Sequence, residues 1–305
     1  RMKRILWAIL LLSVAVRIAS AVYQGNEVTP LSGAADQVSY HELSRRVLEG
    51  HGFSFGTGWW PATAAGEPTA HWSYLYVLYL SGVYALFGVH PIAARLIQAV
   101  LTGILQPLLT WSIARRLFSP RVALVAAALS CFYPYFVFYG GALMTESLYI
   151  VAILWILDIA LAMTGASPGS CRVAGVRAWI FLGLACGMAV LLRQVFLLLI
   201  PAVLAWIAWR LLYVDRSLAA RQAACRFALS IAVLLACIVP WTIRNYRAFG
   251  SFVLLNTNSG FAFFWGNHPV HGTDFIPILP SERYGALIPE ELHELNEAEM
   301  DSALR

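Results

Sequence analysis

The stretch ILWAILLLSVAVRIASAVYQGNEVTPLSGAADQVSYHELSRRVLEG, residues 5–50, decides how the chain reads. Its first part, Ile5–Tyr23, is apolar apart from Arg17 and long enough to cross a bilayer, which takes about 20 apolar residues. Its second part opens at Asp36 and runs through Gln37–Glu49 to a stop at Gly50. Tyr40, Leu43, Val47 and Leu48 recur there at helical spacing. The pattern predicts an amphipathic helix resting on the membrane surface, with an acid at its head. A carboxylate beside lipid is costly and usually has a task.

The rest of the chain fits that beginning. Of 305 residues 60% are apolar and only 12% are charged, where a soluble domain carries about 25% charged residues. The chain therefore reads as an integral membrane protein. The formal net charge of +5 is modest and sits in short loops rather than one patch, which argues against a nucleic-acid partner. Cys131, Cys171, Cys186, Cys225 and Cys237 show no metal-type spacing and read as small apolar residues rather than a disulfide framework. Met2-Lys3-Arg4 followed by an apolar run resembles a signal peptide. No small-residue cleavage site follows, so the expectation is a retained first span with a cytoplasmic N-terminus.

Further apolar runs occupy Ile92–Ala114, Val122–Phe138, Ser147–Met163, Ala178–Leu192, Val195–Leu212 and Phe227–Ile243. The basic groups Lys3/Arg4, Arg115/Arg116/Arg121, Arg172/Arg177 and Arg216/Arg221/Arg226 fall between runs. Seven spans put all four groups in the cytoplasm, as the positive-inside rule asks. An eighth run, Trp72–Phe87, would invert the later loops if it crossed. Its Tyr and Trp content suits the outer interface instead. The expected organisation is a transmembrane module over 1–245, with a first outer loop over 24–91, and an outer tail over 246–305. The acidic stretch Pro289–Arg305, with Glu290, Glu291, Glu294, Glu297 and Glu299, reads as a solvated helix face. The chain stops inside that pattern, and the tail is expected to be the start of a longer C-terminal region.

This topology gathers polar residues on the outer face. Asp36 suits two roles that can coexist. It can cap the helix that follows, or it can take a proton from an acceptor or hold a metal ion beside a phosphate. Glu146, in Met144-Thr145-Glu146 at the outer start of a span, gains from the helix dipole and makes a second candidate catalytic acid. His71 is the third member of the group, able to bind phosphate or, with Glu146, a divalent cation; Glu67 is a weaker candidate for the same place. Arg95, Arg193 and Arg244 fall at outer span ends. Snorkelling accounts for any one of them, and together they could clamp a lipid-linked phosphate. Tyr40 joins them as a substrate-binding candidate. Arg17, deeper in its span, is expected to reach up to an acid or headgroup, and Asp158 to be structural. No phosphate-binding glycine loop, dinucleotide fingerprint, Gly-x-Ser-x-Gly or His-Glu-x-x-His appears, which disfavours cytoplasmic nucleotide chemistry. An activated substrate would arrive through the membrane on a lipid.

In this setting the chain resembles the GT-C class of membrane glycosyltransferases, in the branch of protein O-mannosyltransferases and the lipid A aminoarabinose transferase. The likeness rests on Asp36-Gln37-Val38-Ser39-Tyr40, Gly50-His51-Gly52-Phe53-Ser54, Pro68-Thr69-Ala70-His71, Leu86-Phe87-Gly88, Ala94-Arg95-Leu96, Met144-Thr145-Glu146, Pro240-Trp241-Thr242-Ile243-Arg244-Asn245 and Trp265-Gly266-Asn267-His268-Pro269. It implies an all-α polytopic fold of about seven spans, with juxtamembrane helices in the first outer loop. It also implies a polyprenyl-phosphate sugar donor, and transfer to a lipid, glycan or protein acceptor on the outer face of a plasma or inner membrane. Asp36 takes the place of the family's first-loop acid, and Glu146 that of its second. Several relatives carry another acid after the first; here it is Gln37, and the aminoarabinose branch is acidic near the position of His71. Asp36 as base would give inversion at the anomeric carbon. The rival reading is a transporter or flippase of lipid-linked sugars, which the one-sided polar cluster and the lack of a repeat disfavour.

Overall fold

The computed structural model describes residues 2–31, 34–59, 62–165, 175–268, 270 and 285–305. Cys171, Arg172 and Pro269 lie outside the described residues. The architecture is all-helical. Helix α1 covers Met2–Gln24, α2 Gln37–Leu48, α3 Tyr74–Phe87 and α4 Pro91–Leu117. Then come α5 (Pro120–Phe132), α6 (Pro134–Gly141), α7 (Glu146–Thr164) and α8 (Val176–Leu192). A 3-10 turn, Gln194–Leu198, leads into α9 (Ile200–Trp209), which ends in a π-turn, Arg210–Val214. Helices α10 (Ala220–Phe249), α11 (Ser259–Asn267) and α12 (Glu297–Ala303) follow.

Every apolar run expected to cross is helical, five of them within a single α-helix. Among the described residues five segments are long and apolar enough to span by length and composition: α1, α4, α7, Gln194–Val214 and α10. The run Val122–Phe138, expected as one straight span, breaks into α5 and α6 with a 52° bend. Pro134 is the cause: it forces the preceding Tyr133 out of helical backbone, to φ −61° and ψ 117°, and has no N–H to give the previous turn. Counted as one span, the pair makes six. Helix α8, with 17 residues, reaches roughly 26 Å at 1.5 Å per residue and packs between α7 and α10.

Small residues let these helices approach. A Cβ on Gly183 of α8 would fall 2.6 Å from the Ser230 carbonyl oxygen of α10, and one on Gly103 of α4 would fall 2.9 Å from the Val14 Cα of α1. Such contacts replace the hydrophobic drive that lipid does not supply between helices. Arg17 does not reach an acid or headgroup, contrary to expectation. It is fully buried, and its guanidinium donates to Gln106 Oε1 at 2.8 Å, to Ser13 Oγ, and to the carbonyls of Ser130 and Cys131, which the α5–α6 break leaves available. Asp158 is structural: it accepts from Arg116 Nε at 2.9 Å and Ser112 Oγ at 2.6 Å.

The end opposite Arg116 carries the remaining helices. At 14 residues, α3 reaches roughly 21 Å, short of a hydrocarbon core of about 30 Å. Its contacts keep it at this end. Ser73, its cap, donates to the Leu191 carbonyl at the end of α8; Tyr74 donates to Asn245 near the end of α10; Tyr79 donates to the Ala94 carbonyl at the start of α4. The run Trp72–Phe87 thus lies along one face of the bundle, and α2 packs on it through Tyr40 and Leu43.

The tail departs from expectation. Glu290, Glu291, Glu294 and Glu299 are exposed as expected, but Glu297 and Asp301 are buried at 2% and 1% exposure, so one side of α12 faces inward. Glu297 accepts from Thr63 Oγ1 at 2.6 Å, from the Ala70 amide at 2.7 Å, and from Thr257 Oγ1. Asp301 accepts from the amides of Gly260 and Phe261, which open α11. The tail therefore ties the first loop to the residues after α10.

Candidate active site

Asp36 stands at the N-cap position of α2, yet its side chain makes no capping bond. The reason is local. A capping residue usually has extended backbone, while Asp36 is helical, φ −62° and ψ −14°, and its own carbonyl accepts from Tyr40 N at 3.0 Å. The carboxylate is left to a cavity of about 810 Å³ that it lines with Tyr40, His71, Thr145 and Arg193. It is exposed to that cavity but walled by protein on its other sides. This removal from water raises its pKa above the usual Asp range, against the opposing pull of His71, when protonated, and of Arg193.

Arg193 follows α8 in extended backbone, φ −147° and ψ 108°, which carries its side chain into the cavity wall. Its Nε donates to Thr145 Oγ1 at 3.2 Å and its Nη2 to Glu146 Oε1. The pair is lopsided: 42% of the Arg193 side chain is exposed against 10% of Glu146. Glu146 does not line the cavity. Expected as a catalytic acid, it stands behind Arg193 and is paired with it.

His71 and Tyr40 complete this wall. His71 Nδ1 donates to the Thr257 carbonyl at 3.3 Å; a carbonyl only accepts, so Nδ1 carries the proton. Burial lowers the His71 pKa, opposed by the charge of Glu297, the Thr257 bond and the charge of Asp36, and favours the neutral ring. Tyr40 is 7% exposed and meets Trp72 and Tyr76 edge to face at 5.6 and 4.9 Å. Burial raises its phenol pKa, helped by Asp36.

Two arginines expected at the site are elsewhere. Arg95 is 1% exposed and donates to Gln24 Oε1, the Gly141 and Glu27 carbonyls and Gln37 Oε1, at 2.6 to 3.2 Å. Arg244 donates to the Thr69 carbonyl at 2.9 Å and the Phe53 carbonyl at 3.2 Å. Neither lines the cavity. Both anchor the first loop, because unpaired carbonyls in a compact loop need donors. Gln37, buried between Arg95 and the Thr29 carbonyl, belongs to the same anchor. Glu67 is exposed and outside the cavity.

Among the described residues no three His, Cys, Asp or Glu side chains stand together as a metal-binding group. His71 lines the cavity while Glu146, behind it, is bound to Arg193.

Other residues at the cavity were not singled out from the sequence. Gln194, Asn256 and Asn258 add an amide strip beside Arg193, and Phe261 and Trp265 of α11 stand opposite. The polar triplet Asn256-Thr257-Asn258, directly after Leu254-Leu255, is the one signal that could have marked them. Leu192, Val195, Leu197 and Leu198 add apolar lining on either side of Arg193-Gln194 in the chain, with Val195 57% and Leu198 78% exposed on the surface of the bundle.

A family model described as dolichyl-phosphate-mannose-protein mannosyltransferase matches residues 73–243, more than half of the chain. The chain belongs to that family. The match takes in Glu146, Arg193 and Gln194 of this mannosyltransferase-family protein, and ends before the amide triplet. A comparison with curated proteins gives no match. The fold is similar to that of the Archaeoglobus fulgidus oligosaccharyltransferase, crystallised in the apo form, with TM-score 0.61 and 18% identity over 84% of this chain. The chain spans 30% of that protein's length. Family and fold together place the chain in the GT-C class of membrane proteins.

Proposed function

We propose that this protein transfers a sugar from a polyprenyl phosphate to an acceptor hydroxyl on the outer face of the membrane. One observation carries the reading. An uncapped carboxylate, Asp36, and a half-exposed guanidinium, Arg193, line one cavity together with Leu192, Val195, Leu197 and Leu198, of which Val195 and Leu198 are exposed on the bundle surface. A lipid-linked phosphate has both parts: a chain for the apolar residues and an anion for the arginine. The loop charges support an outer position for the cavity.

The acceptor oxygen attacks the anomeric carbon as the bond from that carbon to the phosphate oxygen breaks. The acceptor proton passes to Asp36, and the electron pair leaves with the polyprenyl phosphate. Direct displacement inverts the anomeric centre. The raised pKa of Asp36 makes it a stronger base than a solvated aspartate. Arg193, held by Glu146 and Thr145, faces the charge that grows on the departing phosphate. Purified protein given a polyprenyl-phosphate hexose and a hydroxyl acceptor should release polyprenyl phosphate in step with product. Binding without release would point to a carrier of lipid-linked sugars instead.

A further inference from the structure

The turn after α8 sets Gln194 directly beside Arg193, and both line the cavity. Gln194 has a fixed orientation. The Asn256 backbone N–H donates to Gln194 Oε1 at 3.1 Å. A backbone amide can only donate, so the oxygen end of Gln194 is assigned. Its Nε2 must then donate, and it does so to Asn258 Oδ1 at 2.5 Å. This assigns Asn258 in turn: Oδ1 faces Gln194, and Nδ2 remains as a donor without a protein partner among the described residues. Asn256 is fixed by the same logic. Its Nδ2 donates to the carbonyls of Ala70 at 2.8 Å and Trp72 at 3.0 Å, which leaves Oδ1 as an acceptor.

We infer that Asn258 determines sugar specificity: its Nδ2 donates to one ring hydroxyl of the transferred sugar and rejects an amino group at that position. The inference rests on the donor reading above, since it needs the phosphate at Arg193. The anomeric carbon lies one oxygen from phosphorus, and Gln194 lies one residue from Arg193, so the ring falls against the amide strip. A hydroxyl oxygen can accept from a fixed N–H. A protonated amine has three donors and no acceptor, so it meets Nδ2 donor against donor. Asp36 lines the same cavity, so the binding series is measured in Asp36→Asn, where that side chain offers no charge to an amine.

The test is equilibrium binding to the whole protein in lipid nanodiscs, with short-chain synthetic polyprenyl phosphates as probes. One carries no sugar, one carries a neutral hexose, and a series carries the same hexose with each ring hydroxyl in turn replaced by an amine. One position in the series should bind about tenfold more weakly than the parent, the scale of one lost hydrogen bond and an unpaired donor. Asn258→Asp keeps the oxygen that Gln194 needs and exchanges the free N–H for a carboxylate oxygen. It should reverse the preference at that position by about tenfold or more. Equal binding across the series, or an unchanged ranking in Asn258→Asp, overturns the inference. The sugar-free lipid separates the two readings. If it binds, and Arg193→Ala weakens it, while the series shows no ranking, only the role of Asn258 fails. If no lipid binds, the donor reading fails and this inference with it.

Discussion

Replacing Asp36 with Asn separates catalysis from folding. The separation follows from the missing cap. A capping aspartate would contribute roughly 0.5–2 kcal/mol to its helix, but this side chain makes no such bond. What Asp36→Asn removes from stability is the attraction of a negative charge to the start of α2, about 0.3–1 kcal/mol. Relief of the burial that raises the Asp36 pKa offsets it. The net change in stability should stay within about 0.5 kcal/mol, the range of substitutions that break no named feature. The rate should behave differently. Loss of a general base slows transfer by about 10²- to 10⁴-fold, or roughly 2.7–5.4 kcal/mol of barrier at 1.36 kcal/mol per decade. The assay pairs thermal unfolding in detergent with release of polyprenyl phosphate at saturating donor. A variant that keeps more than a tenth of the wild-type rate would refute the assignment of Asp36 as base. A variant that unfolds several degrees lower would refute the claim that its side chain holds nothing.

Other outcomes follow from the same geometry. Because Asp36 acts ionised and its pKa is raised, the rate should fall as pH drops through a value above about 3.9, the ordinary aspartate pKa. An acid limb at or below that value in a pH–rate profile would contradict the role of burial. Arg193→Ala should weaken binding of a sugar-free polyprenyl phosphate by about 10- to 100-fold, the scale of a hydrogen bond to a charged group, measured by titration. Arg95→Met should act on the fold instead: it leaves the Gly141 and Glu27 carbonyls without their donor, and unfolding in detergent should come earlier by about 2 kcal/mol or more. Donor affinity in the surviving folded fraction should stay as in the wild type. Transfer should persist in EDTA, since Glu146 is paired with Arg193 rather than turned to His71; complete and metal-reversible loss would show otherwise.

The sequence carried the spans clearly because the signal for them is long. An apolar run near 20 residues has few soluble explanations, and the short Trp72–Phe87 run was separable from the rest by loop charge alone. The α5–α6 break was readable from Pro134 and was missed because hydropathy averages over a single proline. Site residues were harder. Asp36 and Arg193, singled out as polar residues of one outer face, line one cavity; an acid and a cation at span ends have little other reason to be there. Arg95 and Arg244 carry the same signature. Only the positions of loop carbonyls distinguish a guanidinium that anchors a chain from one left for a ligand, and carbonyls are the same in every residue. Glu297 was invisible for the converse reason: an acid among acids gives no hint that three donors from distant segments surround it.

The placement of Glu297 explains how loops above a membrane can form a wall of fixed geometry. These segments lack the thick core that orders a soluble domain, so other contacts must set their register. A buried carboxylate is suited to that work because it tolerates so few alternatives. Unpaired, it costs several kcal/mol; with Thr63, the Ala70 amide and Thr257 in place, its oxygens are satisfied. Only the arrangement that brings residues 63–70 and 257 together permits burial, and that arrangement also sets His71 and the amide triplet at the cavity. Asp301 does the same for the start of α11, where it fits so closely that a Cβ on Gly260 would overlap its carbonyl oxygen. The part of the cavity formed by Arg193, proposed to take the phosphate, is thus built on membrane helices, and the part formed by Asn256 and Asn258, proposed to take the sugar, on loops registered by the tail. Chemistry on a lipid phosphate can then be retained while the loops and tail vary to select what is transferred.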